Sequence, residues 1–157
     1  MAVGVGDGVT DVRALVEREH SGWERIEELL GSLTPEQTVR PGYFEEGWSA
    51  KDLLAHLAGW LAEAGQVLQQ VRSGTYTGRD MDIERMNAVF LEANRSQPLS
   101  IVQAEAHAAR TRLLHEVHEL ESVSGEAAVW LAKAGPDHYD EHLPRLTEWV
   151  RELQSSG

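Results

Sequence analysis

The chain has 157 residues, 14 of them basic and 26 acidic, for a net charge of −12 with histidines neutral, a length that suits one domain with one core. That charge opposes a phosphate-binding surface, because affinity for nucleic acid rests on counterion release by Lys and Arg, so neither nucleic acid nor anionic lipid is an expected partner. Cysteine is absent, which excludes disulfides, thiolate metal sites, iron–sulfur clusters and a cysteine nucleophile.

Alternating β-branched runs are missing, whereas Ala, Leu, Glu, Arg and Gln dominate long stretches with helical spacing, so the chain reads as all-α. The first helix is expected from a cap at Thr10 or Asp11 to about Gly31. Its apolar stripe comprises Val12, Leu15, Val16, Trp23, Ile26 and Leu30, and Glu19 falls inside it. Thr34-Pro35-Glu36 predicts a short capped turn, and Pro41-Gly42 punctuates the loop that follows. Ser49 is the expected N-cap of a second long helix, with Asp52 in its first turn, that runs to about Arg72 and ends before Gly74 and Gly78. Its stripe is Leu53, Leu57, Trp60, Ala64, Val67, Leu68 and Val71, with His56 on the edge.

A shorter helix is predicted over 80–94, with Ile83, Met86, Phe90 and Ala93 inward and Asn87 and Asn94 on its margin. Ser100 is the expected cap of a third long helix over 101–121, buried through Val102, Ala106, Ala109, Leu113, Val117 and Leu120. A short helix over 126–134 precedes Gly135-Pro136, and the last helix, from about His138 to Leu153, turns Leu146, Trp149, Val150 and Leu153 inward. Four long amphipathic segments bury their stripes most economically as a four-helix bundle, with short extra helices in the connections. Residues 1–157 form a single domain in this reading, with 1–8 and 154–157 frayed. Every longer apolar stretch is interrupted by His, Glu or Gly and no signal peptide is visible, so no membrane association is expected and the cytoplasm is the default location.

The seven histidines sort by helical face. His107, His115 and His118 lie opposite the stripe of their helix and His20 sits well off its own, as solvated residues do. His138 and His142 are four residues apart, one turn apart on the face that continues into Leu146, Trp149 and Leu153. A buried imidazole pair of this spacing is satisfied either by one divalent cation or by hydrogen bonds. His56, on the inner edge of another helix, would complete a neutral three-histidine set that leaves positions for water or substrate. Imidazole ligands suit zinc or nickel, with iron as an alternative. Glu19 is a candidate fourth ligand, an acceptor that orients a ligand, or a general base; it could equally reach solvent at a bundle end.

The segment Trp48-Ser49-Ala50-Lys51-Asp52-Leu53-Leu54-Ala55-His56-Leu57-Ala58-Gly59-Trp60 resembles the signature that opens the second helix of the DinB-like (DinB/YfiT-like) four-helix proteins, which include the mycothiol-dependent maleylpyruvate isomerase N-terminal domains. The tail His138-Tyr139-Asp140-Glu141-His142 with Trp149, together with the position of Asn87, is more similar to the ClbS/DfsB branch. The resemblance runs from the first helix to the last. It implies an up-down-down-up bundle and a divalent metal on His56, His138 and His142. Related branches use that metal to activate a low-molecular-weight thiol such as mycothiol or bacillithiol, whereas the ClbS branch protects against a reactive genotoxin and includes members without a tightly held metal. Pro144 departs from the pattern: a helix that begins near Asp137 would be kinked by it, which could disturb the spacing of the histidine pair.

Three functions remain open at this point. In the first, the metal lowers the pKa of water or of an external thiol for hydrolase, transferase or isomerase chemistry on a small electrophile. Trp48, Trp60 and Tyr139 would then wall the pocket, Asn87 would orient the substrate and Glu19 would take part in catalysis, although aromatic residues also serve as ordinary bundle core. In the second, the same cavity captures or hydrolyses a toxic metabolite without a firmly bound metal. In the third, the histidines are an unmetallated cluster in a structural protein. The expected partners are a small-molecule substrate and a second copy of the chain in a homodimer.

Overall fold

The computed structural model describes residues 3–44 and 46–156, with side chains from residue 12 onward. Among the described residues there is no strand, and seven helices follow in order: α1 (Val3–Gly31), α2 (Pro35–Thr38), α3 (Ala50–Ser73), α4 (Ile83–Asn94), α5 (Leu99–Glu119), α6 (Gly125–Ala134) and α7 (Pro136–Ser155). The long helices α1, α3, α5 and α7 make the bundle; α3 packs chiefly on α5 and α1 on α7. Helices α4 and α6 lie against α3, and α6 also meets α7. No helix among the described residues is long and apolar enough to cross a membrane.

The core follows the expected stripes. Ile26, Leu53, Leu57, Leu61, Leu68, Leu113, Leu131, Leu146 and Leu153 are fully buried, and Trp23, Trp149 and Val150 nearly so. Helix α3 begins as predicted: Ser49 accepts from the Asp52 N–H while the Asp52 carboxylate accepts from the Ser49 N–H, two otherwise orphaned donors satisfied reciprocally. It ends at Gly74, whose φ of +75° is the left-handed conformation that glycine adopts without a Cβ penalty.

Boundaries differ where propagation overrides a local cap. Helical backbone reaches back to Val3 rather than starting at Thr10 or Asp11, whose side chains lie outside the described residues, and α7 continues to Ser155; adding a turn to an existing helix costs far less than nucleating one. Of the ends expected to fray, 3–8 and 154–155 have helical backbone, and residues 1, 2 and 157 lie outside the described residues. Helix α5 starts one residue before its expected cap Ser100, because the Pro98 carbonyl accepts from the Ile101 and Val102 N–H groups. Asp82, not Asp80, precedes α4 and caps the Arg85 N–H. Helix α4 buries none of its residues completely; Ile83 is 56% exposed and Ala93 is also exposed, contrary to the inward face expected of them. Periodicity reports an apolar face, and here only Met86 and Phe90 of that face are half-buried.

Helix α7 opens at Pro136, where a missing N–H costs nothing, and runs through Pro144 to Ser155. Pro144 and Asp140, whose carbonyl would have received the missing N–H, are both exposed. The kink considered for Pro144 does not separate His138 from His142, whose Nε2 atoms are 3.2 Å apart.

Candidate metal centre

Two long helices carry the histidines. His56 sits one turn inside the capped start of α3, and His138 and His142 occupy successive turns at the start of α7. All three are nearly buried, at 7%, 9% and 7% exposed. Their Nε2 atoms turn toward one another: His56 to His138 is 2.9 Å and His138 to His142 is 3.2 Å. One ligand atom from each lies within 4.8 Å of the other two. His107, His115, His118 and His20 are exposed, as their faces predict.

The three nitrogens crowd a single point in a way that protons satisfy poorly. A neutral imidazole has one N–H and one lone pair in the ring plane, so His138 Nε2 cannot form good hydrogen bonds to both neighbours. Protonation offers no escape. Burial, followed by the charges that His138 and His142 would carry, lowers the His56 pKa to about 3. Burial and the His142 charge lower His138 to about 4, and burial lowers His142 despite the opposing charge of Glu141. The cluster is thus neutral near pH 7 with its lone pairs available, the state a cation requires.

The far side of each ring differs. Tyr43 is buried with its hydroxyl 3.0 Å from His142 Nδ1. That oxygen accepts from Nδ1–H when Nε2 carries the lone pair, while the tyrosine proton points to the His142 carbonyl at 3.5 Å. Burial raises the Tyr43 pKa, which keeps its proton in place. The Nδ1 atoms of His56 and His138 are buried without a partner; the Ala134 carbonyl offsets part of the His138 shift without closing a hydrogen bond to Nδ1. Three Nε2 atoms around a tetrahedral cation at bond lengths of about 2.0–2.1 Å would stand roughly 3.3 Å apart. The two spacings to His138, 2.9 and 3.2 Å, are close to that value and the third lies within 4.8 Å, so the three residues could hold a divalent cation.

A cleft of about 530 Å³ opens on the cluster and includes His56 and His138 in its lining. Trp60, one turn after His56, and Asn87 from α4 face it, with Met81, Ile83, Val129 and Trp130 as further apolar wall and Glu126, Lys133 and Glu141 at its polar edge. Trp60 Nε1 donates to Asn87 Oδ1 at 2.7 Å. Trp48 lies outside this lining. Its ring packs 5.1 Å from that of His56 and 5.4 Å from Phe44, on the aromatic side of the cluster.

Glu19 and Tyr139 stand elsewhere. Glu19 is fully buried, but both its oxygens are occupied: Arg110 donates Nε at 2.6 Å and a terminal nitrogen at 2.8 Å, and the Tyr139 hydroxyl donates at 2.9 Å. Among the described residues it is not part of the metal-ligating group, and it does not bend out to solvent. Tyr139 does not line the cleft. Burial and the Glu19 charge push its pKa well above the usual value, so it acts as a fixed donor. The catalytic role considered for Glu19 and the place in the pocket wall considered for Tyr139 therefore give way to a buried ion pair between α1 and α5, pinned by α7. Arg110 shares in it: burial opposes its charge, yet Glu19 outweighs burial and raises its pKa.

Arg110, Tyr43, Phe44 and Arg145 escaped the sequence reading. Arg145 Nε donates to the Tyr43 carbonyl at 2.7 Å and a terminal nitrogen donates to the Gly42 carbonyl at 3.0 Å, which fixes the loop bearing Tyr43 onto α7. A sequence signal existed for Arg145 alone, a cation one turn beyond His142 and next to the proline.

A helical bundle with a three-histidine cluster at the floor of an open cleft is the class that fold and site define. The family model described as the mycothiol maleylpyruvate isomerase N-terminal domain matches residues 20–153, and the chain belongs to that family. No curated protein and no solved structure matches it.

Proposed function

We propose that the protein holds a divalent transition-metal cation, zinc or nickel before iron, on His56, His138 and His142, and promotes attack of a low-molecular-weight thiol on a small electrophile in the adjoining cleft. The observation that carries this reading is the convergence of three neutral Nε2 atoms beside an accessible cleft. Bound there, the cation supplies a Lewis acid that lowers the pKa of a thiol. The chain has no cysteine, so the sulfur must arrive as a cosubstrate, and the family name points to mycothiol. Tyr43 fixes the tautomer and tilt of His142, while Trp60 and Trp130 give the cleft an apolar wall from which water is displaced.

The test uses protein purified without a histidine tag and stripped with chelator. Titration with zinc or nickel is expected to reach one equivalent and to raise the melting temperature, and His142→Ala is expected to abolish both. Consumption of a thiol-reactive electrophile should require metal and added mycothiol together. Unchanged melting with less than stoichiometric metal would overturn the metal site, and metal binding without thiol-dependent turnover would overturn the chemistry.

A further inference from the structure

The indole N–H of Trp60 can only donate, so the atom of Asn87 that it meets at 2.7 Å is the carbonyl oxygen. That contact settles the orientation of the amide and leaves Nδ2, with two hydrogens, as the free end. Among the described residues nothing accepts from Nδ2 of Asn87. By contrast, Asn94 on the same helix uses its Nδ2 on the Phe90 carbonyl at 3.1 Å. Asn87 is half-buried and lines the cleft together with His56 and His138. It is thus an oriented, uncharged donor held by a residue one turn from a candidate ligand.

The rest of the cleft narrows what would meet that donor. Trp60 and Trp130, with ring centroids 6.4 Å apart, provide flat apolar surface. Lys133 is the single cationic side chain of the lining, set against the carboxylates of Glu126 and Glu141, so apart from a cation on the histidines the wall has no surplus positive charge with which to hold an anion. Resting on the reading that this cleft is where the electrophile binds, we propose that it selects neutral, flat apolar molecules that present a carbonyl oxygen to Asn87 Nδ2, with Asn87 as the specificity-determining residue and Trp60 as its positioning residue.

The probe pair is acetophenone and α-methylstyrene, which share shape and differ in the oxygen, with benzoate as the anionic arm. Binding is followed in isotope-labelled full-length protein through the indole N–H resonance of Trp130, which lines the cleft and is present in every variant, and in the wild type also through the side-chain amide resonances of Asn87, once with chelator present and once with zinc. Acetophenone should shift those resonances and bind roughly five- to tenfold more tightly than α-methylstyrene, the worth of one neutral hydrogen bond. With chelator present, benzoate should bind no more tightly than acetophenone. Asn87→Asp keeps an acceptor for Trp60 and should erase the preference, and Trp60→Phe should reduce it. Equal or undetectable binding of the two isosteres by the wild-type protein, tighter binding of benzoate in chelator, or a preference that survives in Asn87→Asp would each overturn the proposal. Discrimination in chelator by a protein that takes up no zinc would sustain this inference while removing the metal reading.

Discussion

His138 and Tyr139 are neighbours in the chain, yet they enter two buried polar clusters of opposite character. The Glu19–Arg110–Tyr139 cluster is charged and complete: both carboxylate oxygens have donors, and the guanidinium also reaches His20 at 2.9 Å and lies 5.7 Å from the Trp23 ring. The histidine cluster is neutral and incomplete, with three nitrogens competing for one point and two more without partners. Buried polar groups are normally satisfied, and those that are not call for a ligand or a reason. The complete cluster ties α1, α5 and α7 together, and the incomplete one is the group that could hold a cation.

Separating those roles by mutation is the strongest way to break the comparison. Arg110→Met leaves the Glu19 carboxylate fully buried with only the Tyr139 hydroxyl, and removing one partner of a buried pair costs about 3–5 kcal/mol. Urea unfolding should show that loss, while the zinc affinity of the folded fraction stays within a few-fold of wild type. A large drop in affinity without a drop in stability would reverse the assignment.

Acid should act on the other cluster first. In metal-free protein, His56 and His138 have folded-state pKa values of about 3 and about 4, below the ordinary value of about 6.5 that they regain on unfolding. The unfolded chain therefore binds protons at a pH where the folded chain does not. Stability is full above about pH 6.5 and falls as pH drops toward 4, by about 1.4 kcal/mol per pH unit for each proton involved. Urea midpoints between pH 7 and 5.5, above most of the range where carboxylates titrate, should trace the start of this fall, and His56→Leu should make it shallower. An identical slope in the variant would show that His56 is not held neutral by burial.

Tyr43→Phe probes the one histidine whose outer nitrogen has a partner. Without the hydroxyl, His142 Nδ1 joins the unsatisfied set; stability should fall by about 1 kcal/mol and zinc affinity by about tenfold or more, as outer partners of ligating histidines do. Calorimetric titration checks the second figure. Unchanged affinity would mean that packing against Phe44, rather than the hydrogen bond, sets the ring.

The four long helices were legible in the sequence because periodicity is local, as were the N-cap at Ser49 and the spacing of His138 and His142. His56 could be joined to that pair because an edge position on one amphipathic helix faces the stripe of another. Glu19 was visible as an acid out of place, but its explanation was not: Arg110 is 91 residues away and pairs only through the tertiary arrangement of α1 and α5. Tyr43 and Phe44 lie in a loop, where no period says which side chain turns inward. Helix α4 misled for a related reason, since an apolar face on a helix does not reveal how deeply a neighbour will cover it.

Gly59→Ala reaches the cleft without touching either cluster. A Cβ at Gly59 would overlap the Phe90 ring, whose contact with α3 and with Trp60, at 5.4 Å between centroids, brings α4 close. Overpacking of this kind costs about 1–3 kcal/mol, and replacing glycine inside a helix returns up to about 1 kcal/mol, so the net loss of stability should be about 1 kcal/mol. Lys51 Nζ holds the far end of α4 through the Arg95 and Gln97 carbonyls at 3.1 and 2.7 Å, so the displacement should be taken up nearer Asn87, lengthening its bond to Trp60. The expected outcome is near-normal zinc uptake with a changed Trp60 fluorescence and a weaker preference for the carbonyl-bearing probe. If the preference is untouched while fluorescence changes, Phe90 has yielded alone and α4 is seated more firmly than its exposed face suggests.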